Sequence, residues 1–236
     1  MAKRSSPTRR RVNLDRAVDG AAVGQRIRAH REQAGISLRE LARRLGLSPS
    51  AISQIETARS RPSVSTLYAI VSELGMSLDE LFSGGELDAR IAVVKPVVPG
   101  RGRPTTEVLD GVERVQRAGE RKGLDLESGV RWERLTAQAD PAVDFLHLVY
   151  DVGGSSSSGD ALITHSGREY GLVLSGSLEV TVGFDTYELG PGDSISFDSS
   201  EPHRLRNVAD EPMHAVWFVA GRRESDERKQ ALDREG

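Results

Sequence analysis

Apolar residues recur at helical spacing through the first third of the chain and at alternate positions through its last half. Val23, Ile27 and Ala34 mark a first helix closed by Gly35, and Leu38, Leu41, Ala42 and Leu45 give one face of a second that ends at Gly46. Ile52 and Ile55 lie on the inward side of a third helix, Leu67, Ile70, Val71 and Leu74 on a fourth stopped by Gly75, and Leu78, Leu81 and Phe82 on a fifth. The start signals agree with this pattern. Ser37 with Glu40, and Ser77 with Glu80, have capping-box spacing, in which each side chain satisfies the free amide of the other residue. Ser48 can cap the third helix with Pro49 at its first position, where the missing N–H costs nothing, and Pro62-Ser63 opens the fourth.

From about Val130 the period becomes two. Short alternating runs at Arg131–Leu135, Phe145–Asp151, Ala161–His165, Tyr170–Leu174, Ser177–Phe184, Thr186–Leu189, Ser194–Phe197 and His214–Val219 predict strands separated by Gly, Pro, Ser and Asp. Their number and spacing predict an antiparallel sandwich or barrel. Five segments result: a disordered basic arm (1–20), a helical unit (21–84), a linker (85–124) with a short strand expected at Ile91–Lys95, a β unit (125–221) and a charged tail (222–236).

Composition sharpens the division. Residues 1–84 hold fourteen Lys/Arg against eight Asp/Glu, a net of +6, so the other residues carry −9 of the chain's −3. That asymmetry suits one segment facing a polyanion. The absence of cysteine excludes disulfides, thiolate catalysis and cysteine-ligated metal, leaving nitrogen and oxygen as metal ligands. No apolar run is long enough to span a membrane, and the polar, basic start does not read as a secretory signal. A cytoplasmic protein is expected.

The two central helices and their short turn form a helix-turn-helix pattern. The segment "SLRELARRLGLSPSAISQIETARSRPSVSTLYAIVSELGMSLDELF" resembles the lambda repressor/Cro-like (XRE) helix-turn-helix family over roughly residues 22–83. The resemblance implies that the third helix enters the major groove with its N-terminal residues at base edges. Base contacts then fall to Ser48, Pro49, Ser50, Ser53 and Gln54. Gln54 is the strongest choice because a carboxamide can bond adenine N6 and N7 together. Ser37, Arg59 and Arg61 would meet phosphates. Arg31 and Glu56 stand where this family places a buried ion pair, and Arg43 and Arg44 fit either DNA contact or a solvated face.

The stretch "THSGREYGLVLSGSLEVTVGFDTYELGPGDSISFDSSEPHRLRN" resembles the cupin jelly-roll barrel. His165, Glu169 and Gly176 fit its first signature with Ile163 in place of the first histidine. Gly192, His203 and Asn207 fit its second, with Asp198-Ser199-Ser200 replacing Pro-x-Gly. Three of the four metal-ligand positions the family uses are thus kept, in His165, Glu169 and His203. Two imidazoles and a carboxylate suffice for a divalent transition metal with an open position. The preferred reading is a metal-free effector pocket made by the same residues with Arg168 and Tyr170, in which Glu169 and His203 contact the effector, and Arg131, Trp132 and Trp217 are further candidates for its lining.

The expected whole is a multidomain chain, an all-α lambda-repressor-like five-helix DNA-binding domain plus an all-β cupin (jelly-roll) barrel. Its implied role is a homodimeric transcriptional regulator, a repressor in the simplest case, that binds operator DNA and senses a small-molecule effector without catalysis. A metal-dependent cupin oxygenase or isomerase fused to a DNA-binding domain is the alternative. An antitoxin reading would call for a shorter chain without a sensor barrel.

Overall fold

A computed structural model describes residues 20–82, 114–140 and 142–221. The expectations for the arm before Gly20, for a strand at Ile91–Lys95 and for the tail beyond Gly221 lie outside these residues. Five helices follow in order: α1 (Gly20–Gln33), α2 (Leu38–Arg44), α3 (Pro49–Glu56), α4 (Val64–Leu74) and α5 (Leu78–Phe82).

The caps explain where they begin and end. Ser48 and Ser63 each accept a hydrogen bond from the amide three residues on, Ala51 and Thr66, at 3.1 Å. Ser77 and Glu80 form both halves of the expected box, at 2.6 and 3.2 Å. Ser37 completes only one half: its hydroxyl accepts from the Glu40 amide at 3.1 Å. The Glu40 carboxylate turns instead to Arg43 and Arg44 at 2.7 Å each. Two guanidinium groups outcompete one neutral amide. Gly75 ends α4 in the left-handed region (φ 63°), where a side chain would be strained.

Ile27, Leu41, Ile52, Leu67, Ile70 and Leu81 are fully buried and form the helical core. Ala34, expected on that face, lies past the end of α1 and is exposed. Helices α1 and α3 meet at Gly24, where an added Cβ would stand 2.5 Å from the Glu56 carbonyl oxygen. Beside this contact the buried Arg31 guanidinium donates to both Glu56 oxygens at 2.6 and 3.0 Å, and to the Ile36 carbonyl at 3.0 Å. The expected ion pair is therefore present.

The β domain has nine strands: β1 (Gly123–Asp125), β2 (Val130–Arg134), β3 (Val143–Tyr150), β4 (Arg168–Ser175), β5 (Leu178–Val182), β6 (Asp185–Leu189), β7 (Ser194–Asp198), β8 (His203–Arg206) and β9 (Met213–Ala220). They form an antiparallel six-stranded sheet, β1-β2-β3-β9-β4-β7, and a three-stranded sheet, β6-β5-β8. The core between the sheets takes alternate residues, such as Leu146 and Leu148 from β3, Val173 from β4 and Ala215, Trp217 and Val219 from β9. Strand β1 starts two residues inside the expected linker. Ala161–His165 is not a strand, although Ile163 bridges His203. Asn207 is a buried staple whose side-chain amide donates to the carbonyls of Tyr150, Asp151 and Glu211 at 2.8–3.1 Å.

The two domains touch where α4 begins. The Ser65 amide donates to the Ser156 carbonyl at 3.1 Å, and the Glu127 amide to the Pro62 carbonyl at 2.9 Å. Ser156 is itself paired with Leu205 of β8 through backbone and side chain. The serine run after Gly154 is thus a stitched edge of the barrel. The Tyr68 ring stacks on His165 with centroids 4.0 Å apart and planes 13° from parallel, and it meets Trp132 edge-on at 5.5 Å.

Candidate functional site

Helix α3 presents Ser48, Pro49, Ser50 and Gln54 to solvent, with Ser53 half-buried, while Ile52, Ile55 and Glu56 hold its other side in the core. A short helix with one buried face and one row of small polar side chains suits insertion into a groove. Gln54 lies 3.5 Å from the Ser50 hydroxyl, so these two side chains form one polar unit. Ser37 is exposed at the start of α2, and Arg59 is exposed in the turn that follows α3. Arg61 departs from that group: it is exposed, but its guanidinium faces Asp125 of β1 at 3.8 Å. Arg43 and Arg44 are tied to Glu40, and Arg44 also to Glu73 at 2.7 Å, which favours the solvated-face reading.

In the barrel, His165, Glu169 and His203 converge as the cupin resemblance implied, although His165 is not on a strand. Glu169 projects inward from β4, His203 from β8, and His165 from the loop before β4. One ligand atom from each lies within 4.8 Å of the others. The Glu169 Oε1 atom is 2.9 Å from His165 Nε2 and 3.1 Å from His203 Nε2. Neither ring is aligned for a hydrogen bond to that oxygen, so all three buried atoms lack a hydrogen-bond partner. Their outer sides are fully engaged. His165 Nδ1 faces the Ser166 carbonyl at 3.1 Å, His203 Nδ1 the Glu201 carbonyl at 2.8 Å, and the Trp217 indole N–H donates to Glu169 Oε2 at 2.6 Å.

Burial alone would raise the Glu169 carboxyl, but His165 and His203 outweigh it and hold the group well below the usual carboxylate range. Burial would lower His203, yet Glu169 and the Glu201 carbonyl carry it above the ordinary histidine value. Tyr150 is pushed up by burial and then by the Glu169 charge.

The donor set fits a divalent metal. Both Nε2 atoms turn to a common centre, orienting bonds fix the rings from behind, and around an ion with bonds of about 2.0–2.1 Å the donors would stand roughly 3 Å apart. Ile163 walls the side where the family's further histidine would stand.

Arg168 and Tyr170 require correction as pocket residues. With Glu169 inward, the pleat of β4 turns its two neighbours outward, and both side chains are exposed. Trp132 and Trp217 do line the cavity with Leu146, Leu148 and Tyr150, whereas Arg131 lies elsewhere, bonded to Asp125 and Glu133. Residues missed by the sequence reading also line it: Val64 and Tyr68 reach in from α4. The cavity measures about 20 Å³, room for about one water or one ion.

Comparison with known proteins agrees with this architecture. A helix-turn-helix family model matches residues 27–81, and a cupin-domain model matches residues 147–219. The chain thus combines an XRE-type helix-turn-helix domain with a cupin domain. It is 27% identical over 191 residues to the HTH-type transcriptional regulator PuuR of Escherichia coli, covering 81% of this chain and 90% of that protein. A transcriptional regulator of Rhodospirillum rubrum, described as uncharacterized and in the ATPase CF(0) region, is 41% identical over 63 residues, or 27% of this chain and 58% of its own length. An HTH_3 family transcriptional regulator from Vibrio cholerae shares the fold, with a TM-score of 0.58 at 21% identity over 86% of this chain and 96% of that one. This XRE-type regulator is thus a DNA-binding protein with a cupin domain. None of its helices among the described residues is long and apolar enough to cross a membrane.

Proposed function

We propose that this regulator is a cytoplasmic, homodimeric operator-binding protein whose cupin barrel senses the state of the His165, Glu169 and His203 site, which takes a divalent transition metal. The observation that carries the reading is the convergence of three buried donor atoms without hydrogen-bond partners, each held from behind. Such a cluster is costly to bury unless a cation sits among the donors or a proton is taken up. The metal would supply a fixed positive charge to which an effector's oxygen or nitrogen can bind. The chain's own residues then orient the donors, exclude water and hold Glu169 charged. The reading is one of binding rather than catalysis.

Dimerisation is assigned to the outer face of β3, β9 and β4. Phe145 and Phe218 stack there at 4.2 Å, Tyr170 is the registered neighbour of Phe218, and Leu172 and Leu174 continue the apolar row in solvent. Exposed patches of this kind mark protein contacts, and a second copy gives the two-fold arrangement that pseudo-palindromic operators mirror. Binding measured against the operator selected from genomic fragments tests the whole. The expected result is a two-half-site footprint with strong salt dependence and about one metal ion per chain in protein purified without tag or chelator. Sedimentation should show a dimer that Leu172→Lys dissociates. A one-half-site footprint, or metal-free protein that takes up no metal, would overturn the corresponding part.

A further inference from the structure

The sensor cavity is not made by the barrel alone. Its open side is closed by the DNA-binding domain, through Val64 and Tyr68 of the helix that follows the recognition helix. Tyr68 covers His165 face to face and leans on Trp132, and both it and Trp132 are buried by the contact. The cavity thus enclosed, about 20 Å³, admits an ion or a water and nothing larger.

We propose that α4 is the gate of the barrel site: any ligand, an ion included, reaches the buried donors of His165, Glu169 and His203 from solvent only when Tyr68 leaves its seat, and a ligand larger than a single ion can stay only while α4 is lifted, so organic-ligand occupancy and the observed seating of the DNA-binding domain exclude each other. This rests on the reading of the three residues as a binding site. The consequence for DNA follows from chain geometry. Glu56 ends the recognition helix, and Pro62, six residues on, is already bonded to Glu127 of the barrel. Seated, α4 holds α3 in one orientation to the barrel; lifted, it frees α3. In a dimer joined through the barrels, that orientation sets the spacing of the two recognition helices. A ligand that competes with Tyr68 for the cavity therefore shifts the population of operator-competent dimers by its differential affinity for the two arrangements.

The test uses the full chain, Co²⁺ as the probe and the chain's natural lack of cysteine. Ser65→Cys combined with Ser156→Cys places a reversible disulfide across the seat, and Tyr68→Ala removes the cover. Co²⁺ uptake is followed by its visible absorption, and acrylamide quenching reads Trp132 and Trp217, the only two tryptophans, both lining the cavity. Uptake should be at least tenfold faster in Tyr68→Ala than in the natural chain, and at least tenfold slower in the oxidised double-cysteine chain than after its reduction. Quenching should rise severalfold in Tyr68→Ala and fall on oxidation. Uptake rates and quenching that are equal in all forms, or a cysteine pair that does not oxidise, overturn the gate. If no form takes up Co²⁺, the metal reading fails by itself and quenching decides: a rise in Tyr68→Ala with protection by the disulfide upholds the gate, and no difference overturns it.

Discussion

Removing Arg31 tests how the recognition helix is held. Arg31 and Glu56 are 9% and 3% exposed at their side chains, and the guanidinium makes three hydrogen bonds, two to Glu56 and one to the Ile36 carbonyl. Arg31→Ala leaves the Glu56 carboxylate buried beside the last turn of α3 with its two donors gone, and truncating one partner of such a pair costs about 3–5 kcal/mol. At about 4–8 °C per kcal/mol for a unit the size of the helical domain, the melting temperature of the helical transition, followed by circular dichroism on the full chain, should fall by roughly 12–40 °C. Replacing both residues with methionine should recover most of the loss, because well-packed apolar pairs can match a buried ion pair. Single changes that each cost less than about 1 kcal/mol and add in the double variant, as independent sites do, would refute the claim that the pair is one buried unit joining α1 to α3.

Gln54→Ala should relax preference at one base position and cost about 1–3 kcal/mol on the operator, whereas Arg59→Ala should weaken all sequences alike and reduce the salt slope by about one. Competition binding on single-base operator variants separates the two. Gly171→Ala should destabilise the barrel by at least about 1–3 kcal/mol, because its Cβ would stand 2.0 Å from the Trp217 indole. A tryptophan emission shift should accompany it as Glu169 loses the indole N–H. Burial, then the neighbouring His147, lowers His214 below the ordinary histidine range, against the opposing charges of Glu133 and Asp151. The folded chain therefore binds fewer protons than the unfolded one below about pH 6.5, and this contribution to stability falls as pH drops through that value toward the depressed one. His214→Asn should flatten the slope of denaturation free energy against pH in that window, and an unchanged slope would remove His214 from the account.

The helical domain was legible in the sequence because each start and stop has a local cause, such as the cap at Ser48 or the left-handed Gly75. The one departure among the caps, Glu40, reflects a choice between partners that spacing alone does not reveal. In the barrel, β1 and β8 escaped notice because they have three and four residues and β8 is half arginine. Ala161–His165 alternates like a strand, yet only Ile163 finds a bridging partner. The convergence of His165, Glu169 and His203 was carried by the family resemblance and its spacing. Arg168 and Tyr170 were placed on the wrong side, although period-two alternation from Glu169 already turns them outward. Val64 and Tyr68 could not be read as part of the site. Their helical spacing assigns them to the core of their own domain, and only the seating of one domain on the other brings them to the cavity.

The central claim, that the state of the barrel site controls operator binding, is tested most directly by one titration. Full-length protein stripped of metal is compared with the same protein reloaded with one equivalent of Co²⁺, each titrated onto the selected operator at fixed salt. At least a tenfold difference in operator affinity is expected between the two, and loss of that difference in Glu169→Gln. Equal affinities in protein shown to have bound the ion would contradict it.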